Sequence, residues 1–180
     1  MPSPKVWFIF KSPMRLQIKG LKEGINILRM EGTPEEADLR DSGLEFVSPI
    51  ELSLRVVRQR ETFWVDAVVK VSVVLECARC LKRYKEDLEA EFKIVVRRGG
   101  GPLPGWDEED MKLVPPDAED VDITQEVHDF VLLSVPMKPL CSEGCKGLCP
   151  VCGADLNEEE CGCRRERIDP RWEALTKIAL

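Results

Sequence analysis

A chain of 180 residues, 43% hydrophobic and 33% charged, has room for one domain with an appendage or two small ones, and its composition excludes a disordered polypeptide. The formal charge of −7 excludes wholesale coating of a nucleic-acid backbone but leaves room for a local basic surface. The apolar run Val6-Trp7-Phe8-Ile9-Phe10 is too short for a membrane span or a signal-peptide core and ends at Lys11, so the expectation is a cytoplasmic protein with no membrane or lipid anchor.

Short runs at residues 14–18, 25–28 and 44–47 read as strands. From residue 50 the pattern is firmer. Ile50, Leu52, Leu54 and Val56 alternate with Glu51, Ser53 and Arg55, which puts one face inside and one outside. Phe63, Val65, Ala67, Val69, Val71, Val73 and Leu75 keep period two, and Tyr84, Glu86, Leu88, Ala90, Phe92, Ile94 and Val96 repeat it. Two long alternating runs joined by a short connection predict an antiparallel hairpin, with Cys77-Ala78-Arg79-Cys80 at the joint. Residues 1–98 thus read as a β-rich body.

Residues 99–120, beginning Gly99-Gly100-Gly101-Pro102, lack periodicity and predict a flexible, partly acidic linker. A helix follows within residues 121–180. Asp122 reads as its N-cap with Gln125 completing a capping box, Ile123, Val127, Phe130, Val131 and Ser134 share the face that packs on the sheet, and Pro136 stops it. Asp169-Pro170 signals a last short helix anchored by Trp172, Leu175 and Ile178. The fold class is α+β: an antiparallel sheet or partial barrel, a packed helix and a C-terminal segment resembling a zinc ribbon.

The eight cysteines fall into four close pairs: Cys77/Cys80, Cys141/Cys145, Cys149/Cys152 and Cys161/Cys163. Zinc takes four ligands at tetrahedral corners, and two cysteines on one tight turn supply adjacent corners without strain. Four pairs imply two complete four-cysteine sites and two structural Zn²⁺ ions. Local-loop economy joins Cys149/Cys152 to Cys161/Cys163 and leaves Cys77/Cys80 to meet Cys141/Cys145. An interleaved arrangement of Cys141/Cys145 with Cys149/Cys152 remains open, as do disulfides and an iron–sulfur cluster. Basic residues gather near these thiols: Arg79, Lys82, Arg83, Lys138, Lys146, Arg164, Arg165 and Arg167. They either offset the net negative charge of a four-thiolate zinc site or contact RNA phosphates.

Nothing points to catalysis. The first Cys-x-x-Cys is flanked by strands rather than leading into a helix, where a redox dithiol would sit. His128 is the only histidine, in the predicted helix and one position off its apolar face. Four-cysteine sites are closed, without a position for an activated water.

The stretch Pro136-Met137-Lys138-Pro139-Leu140-Cys141-Ser142-Glu143-Gly144-Cys145-Lys146-Gly147-Leu148-Cys149-Pro150-Val151-Cys152-Gly153-Ala154-Asp155-Leu156-Asn157, then Cys161-Gly162-Cys163 and Asp169-Pro170-Arg171, resembles the C-terminal signature of the YceD family. Leu75-Glu76-Cys77-Ala78-Arg79-Cys80-Leu81 resembles its other motif. The resemblance covers roughly residues 50–180. It implies a non-enzymatic bacterial protein supporting accumulation of 23S ribosomal RNA and biogenesis of the large ribosomal subunit. Two kinds of partner fit that role. A basic large-subunit ribosomal protein suits the acidic stretch 107–129, and a ribosomal RNA precursor suits Arg164, Arg165, Arg167 and Arg171. Competing readings are a zinc-ribbon regulator that binds nucleic acid or RNA polymerase, and a redox- or metal-responsive switch.

Overall fold

The computed structural model describes residues 14–106 and 111–163. Its strands, in chain order, are β1 (Arg15–Gln17), β2 (Gly24–Gly32), β3 (Glu45–Phe46), β4 (Ile50–Gln59), β5 (Thr62–Glu76), β6 (Arg83–Arg98), β7 (Lys112–Val114) and β8 (Asp120–Asp122), followed by the helix α1 (Thr124–Ser134). The described residues form two compact units. One takes those up to Leu75 together with Tyr84–Pro139; the other takes Glu76–Arg83 and the described residues from Leu140 onward. The second unit therefore draws on two stretches far apart in sequence.

The first unit is built on a six-stranded sheet of order β2-β4-β5-β6-β7, with β3 also paired to β5. Period two explains it. Ile50, Leu52, Leu54 and Val56 of β4 and Phe63, Val65, Ala67, Val69, Val71 and Val73 of β5 are buried, while Glu51, Ser53 and Arg55 face out. The β4–β5 register runs antiparallel from Gln59↔Thr62 to Glu51↔Lys70. Pairs joining β5 to β6 step in opposite chain directions, as antiparallel strands require: Ser72 Oγ donates to Asp87 Oδ1 at 2.5 Å, Lys70 meets Glu89 at 3.0 Å, and Asp66 meets Lys93 at 3.9 Å. Between β3 and β4 the ladder is broken at Pro49, which has no N–H. There the Ser48 hydroxyl accepts the Ser72 backbone N–H at 2.9 Å in place of a carbonyl.

Four expectations need correction. The sheet is open, not a partial barrel: β2 and β7 end the strand order, and β1 and β8 form a separate two-stranded ribbon. It is also mixed, because β7 lies parallel to β6 with Val96↔Lys112 and Arg98↔Val114 in register. The stretch 99–120 is not a structureless linker. It carries β7 and enters β8, Gly99 N–H donates to Val114 O at 2.8 Å, and the Trp106 ring meets the edge of Trp64 with centroids 5.5 Å apart. Finally, the helix is entered one residue late: its N-cap is Ile123, with no side-chain cap, because Asp122 is spent as the last residue of β8, opposite Arg15. The short helix expected around Asp169-Pro170 and Trp172 lies outside the described residues.

The β1–β8 ribbon closes the core of this unit. Met14, Leu16, Ile18, Val121 and Ile123 are buried together with the inner face of the sheet, each large aliphatic side chain worth about 1.5–3 kcal/mol when removed from water. The helix adds Val127 and Val131, and Phe130 stacks on Phe92 of β6 at 5.2 Å. Several acidic residues are committed to holding these pieces. Arg15 pairs with Asp120 at 3.3 Å, Lys19 with Glu119, and Lys112 with Glu126 at 2.8 Å.

Asp122 still serves the helix start: its Oδ1 accepts the Thr124 N–H at 2.9 Å, and the Thr124 side chain and backbone together hold its carboxyl below the usual carboxylate range. Asp122→Ala should cost a few tenths to about 1 kcal/mol in urea denaturation at neutral pH, the low figure reflecting its solvent exposure. Because the folded pKa is the depressed one, this contribution is present above the unfolded pKa of about 3.9 and is lost as pH falls through the folded value. The difference between wild type and variant should shrink only below about pH 4.

Candidate metal centres

Each Cys-x-x-Cys turn folds in the same way. Cys77 N–H donates to Lys82 O at 3.0 Å and Leu81 N–H donates back to Cys77 O at 2.9 Å; likewise Cys149 N–H donates to Ala154 O at 2.8 Å and Gly153 N–H to Cys149 O at 2.9 Å. Both turns need a left-handed residue four places after the first cysteine. Gly153 supplies it at φ +77°, where glycine has no steric penalty. In the first turn the position is held by Leu81 at φ +61°, with its side chain more than half exposed. Leu81→Gly should therefore stabilise the second unit, by a few tenths to about 1 kcal/mol, read as a higher melting temperature with unchanged metal content.

The eight thiols assemble into two groups of four: Cys77, Cys80, Cys141 and Cys145, and Cys149, Cys152, Cys161 and Cys163. Within each group all Sγ atoms lie within 4.8 Å of one another. The interleaved alternative does not occur. In the first group Cys77 Sγ is 3.7 Å from Cys145 Sγ and Cys80 Sγ is 3.6 Å from Cys141 Sγ. These separations are far beyond a disulfide bond of about 2.05 Å. They match the edge of about 3.8 Å of a tetrahedron whose corners sit 2.3 Å from a central zinc. The donor set and its spacing fit a tetrahedral metal ion.

Electrostatics agrees. The Cys141 backbone N–H, helped by those of Cys80 and Arg79, lowers the Cys77 thiol to about 6 against the opposing effect of burial. The Lys82 N–H favours a Cys80 thiolate, but burial and the three neighbouring thiols outweigh it and push Cys80 up to about 12. In the second group the Cys152 and Val151 N–H groups lower Cys149 to about 6, while contact with Cys152, then burial, pushes Cys163 up to about 12. Each cluster thus favours one thiolate and opposes ionisation of two neighbours, Cys80 and Cys141 in the first and Cys161 and Cys163 in the second. A central dication would offset that opposition.

The surroundings are structural. Arg79 donates from Nη1 to Cys145 O at 2.7 Å and so clamps the two halves of the first cluster. Its own carbonyl accepts Leu148 N–H at 3.2 Å, and a side chain at Gly147 would come within 3.0 Å of that oxygen. Lys82 lies 3.7 Å from Glu158. Lys146 enters through its backbone N–H, which donates to Asn157 Oδ1 at 2.7 Å. Arg164, Arg165, Arg167 and Arg171 lie outside the described residues. His128 is half-buried beside Asp129, 2.9 Å from its Oδ1, remote in sequence from either thiol group. One contact escaped sequence reading: Asn157 Nδ2 reaches Cys145 Sγ at 3.5 Å. Its only sequence signal is a polar residue in the loop between Cys152 and Cys161.

Two four-thiol clusters among the described residues, with no described helix long and apolar enough to cross a membrane, define a class of candidate metal-binding proteins. The family follows from comparison. Residues 65–179 match the family model described as large ribosomal RNA subunit accumulation protein YceD, and the chain belongs to that family. It is 26% identical over 156 residues to a chloroplastic YCED homolog 1 from Arabidopsis thaliana, covering 73% of this chain and 49% of that one. A protein of Mycobacterium tuberculosis described only as uncharacterized is 35% identical over 129 residues, covering 72% of this chain and 61% of the other. The Haemophilus influenzae large ribosomal RNA subunit accumulation protein YceD is 32% identical over 85 residues, covering 43% and 45%. The chain spans roughly half to three-fifths of the length of the first two relatives. No solved structure matches it.

Proposed function

We propose that this protein is a non-catalytic cytoplasmic factor that supports accumulation of 23S ribosomal RNA during large-subunit assembly, with two structural Zn²⁺ ions held by Cys77, Cys80, Cys141 and Cys145 and by Cys149, Cys152, Cys161 and Cys163. The carrying observation is the pair of four-thiol clusters in a chain of the YceD family. Four protein ligands fill a tetrahedral zinc and leave no position for a reacting water, which supports a binding role over a hydrolytic one. Zinc in such a site shapes the surface and contributes to folding rather than to chemistry.

The direct partner is a ribosomal RNA precursor or a basic large-subunit ribosomal protein. Internal ion pairs already engage Glu119, Asp120 and Glu126, so less of the acidic stretch is free for a basic protein than the sequence implies. Titration against each partner at two salt concentrations separates them, because phosphate contacts weaken steeply as salt rises. The functional test is depletion of the protein followed by the ratio of large- to small-subunit ribosomal RNA. A fall restored by wild type, but not by a four-cysteine replacement in either cluster, is expected. An unchanged ratio on depletion sinks the proposal.

A further inference from the structure

Cys145 in the first cluster receives a side-chain hydrogen bond from Asn157, whose loop is closed by the second cluster's ligands. Every other N–H contact to the thiols described above comes from the backbone of a residue within two positions of a ligand of the same cluster. Asn157 lies between Cys152 and Cys161, so that both ends of its loop end in ligands of the second cluster. We propose that Asn157 is a positioning residue coupling the two clusters, so that metal in the Cys149/Cys152/Cys161/Cys163 site strengthens metal retention by the Cys77/Cys80/Cys141/Cys145 site. The inference rests on reading both clusters as metal sites.

The amide is held with all its polar atoms engaged. Asn157 Oδ1 accepts Lys146 N–H at 2.7 Å, Nδ2 donates to Asp155 Oδ1 at 2.6 Å and to Cys145 Sγ at 3.5 Å, and the Asn157 backbone N–H donates to the same Asp155 oxygen at 2.9 Å. The loop itself is pinned across the residues between the clusters. Leu148 bridges to Asp155, and Leu156 N–H donates to Gly147 O at 2.9 Å. An amide N–H aimed at a metal-bound thiolate stabilises its charge and fixes its direction, and such outer contacts are worth about 10–100-fold in metal affinity. Metal at Cys161 and Cys163 fixes the far end of the loop that presents this donor. Without it the loop is tethered at one end only, and the ordering entropy of placing Asn157 falls on the first site. Linkage makes the effect mutual: metal in the first site must favour metal in the second by the same factor.

The test uses the full chain loaded with ¹¹³Cd²⁺. Cadmium resonances are assigned by single-cluster variants, and release to a chelator is followed for each site. Two bound ions and two resonances are expected in wild type. Asn157→Ala should shift the resonance of the Cys145 site and speed its release about tenfold; Asn157→Asp, which keeps the acceptor for Lys146 but sets a carboxylate against the thiolate, should speed it about a hundredfold. Cys161→Ser should also speed release from the Cys145 site, and adding Asn157→Ala to it should add little, because both changes break the same link. Two ions bound with the Cys145 resonance and release unaltered by Asn157→Ala overturns the coupling alone. Fewer than two ions in wild type overturns the metal reading beneath it.

Discussion

Cys77→Ser should lower the bound metal from two ions per chain to one and dissolve the packing around the first cluster, leaving the sheet of the first unit folded. The described part of the second unit contains no helix and no sheet of its own beyond the ends of β5 and β6 and one isolated bridge, Leu148 to Asp155. Its buried apolar content is largely the thiols themselves: Cys77, Cys80, Cys145 and Cys149. Small domains of that kind draw on the order of 10 kcal/mol or more of folding free energy from structural zinc. Serine keeps the size but offers no thiolate, and three thiolates hold zinc less tightly than four. Metal analysis gives the stoichiometry, and hydrogen exchange locates the loss. Protection at Cys77, Leu81 and Leu148 should disappear, while that of β4 and of β5 before Glu76 stays. Retention of two ions by Cys77→Ser contradicts the four-ligand assignment.

Phe63→Ala acts on the other unit and should cost about 3–5 kcal/mol there. Phe63 is fully buried near the start of β5, and its ring lies under two guanidinium groups, Arg58 at 5.7 Å and Arg98 at 5.8 Å from the centroid. Both arginines are themselves fixed: Arg98 Nε donates to Glu61 at 2.5 Å, and Arg58 Nη1 donates to Leu21 O at 2.5 Å. Neighbours held in this way have little freedom to collapse into the space, and a rigid cavity is the costly kind. The ring also contributes cation–π attraction that alanine cannot replace. In urea the midpoint should fall with the slope unchanged. Phe63→Leu, which retains most of the volume, should lose less than half as much. Metal content should be unaffected in both variants, since no cluster ligand is in the first unit.

What could be seen in the sequence follows length and period. Strands β4, β5 and β6 are long enough for alternation to repeat many times, and most of their inward residues were identifiable, although in β6 buried Val95 breaks the period. Strands β7 and β8 are three residues each, and so short a run has no period to detect. Their existence depends on partners distant in sequence, β6 and β1. Asp122 misled for a related reason: its side chain suits a helix cap, but strand pairing with Arg15 claims its backbone first. The cysteine grouping was legible because a short loop favours closing Cys149/Cys152 onto Cys161/Cys163, which leaves the other four together. Asn157 was not, since an asparagine in a polar loop carries no mark of the sulfur it will meet.

The discontinuity of the second unit has a consequence for the chain as it is made. Cys80 and Cys141 are separated by 61 residues, and Cys77 and Cys145 by 68. Translation at roughly 5–20 residues per second leaves the first thiol pair waiting on the order of 3–12 s for its mates to be synthesised. During that interval Cys77 and Cys80 form half a chelate on a nascent hairpin, open to oxidation or to a softer competing metal. The second pair of knuckle ligands meets its partners almost as soon as they leave the ribosome. With zinc in the first cluster, as proposed, the order in which its ligands emerge favours a reducing environment at the moment of synthesis.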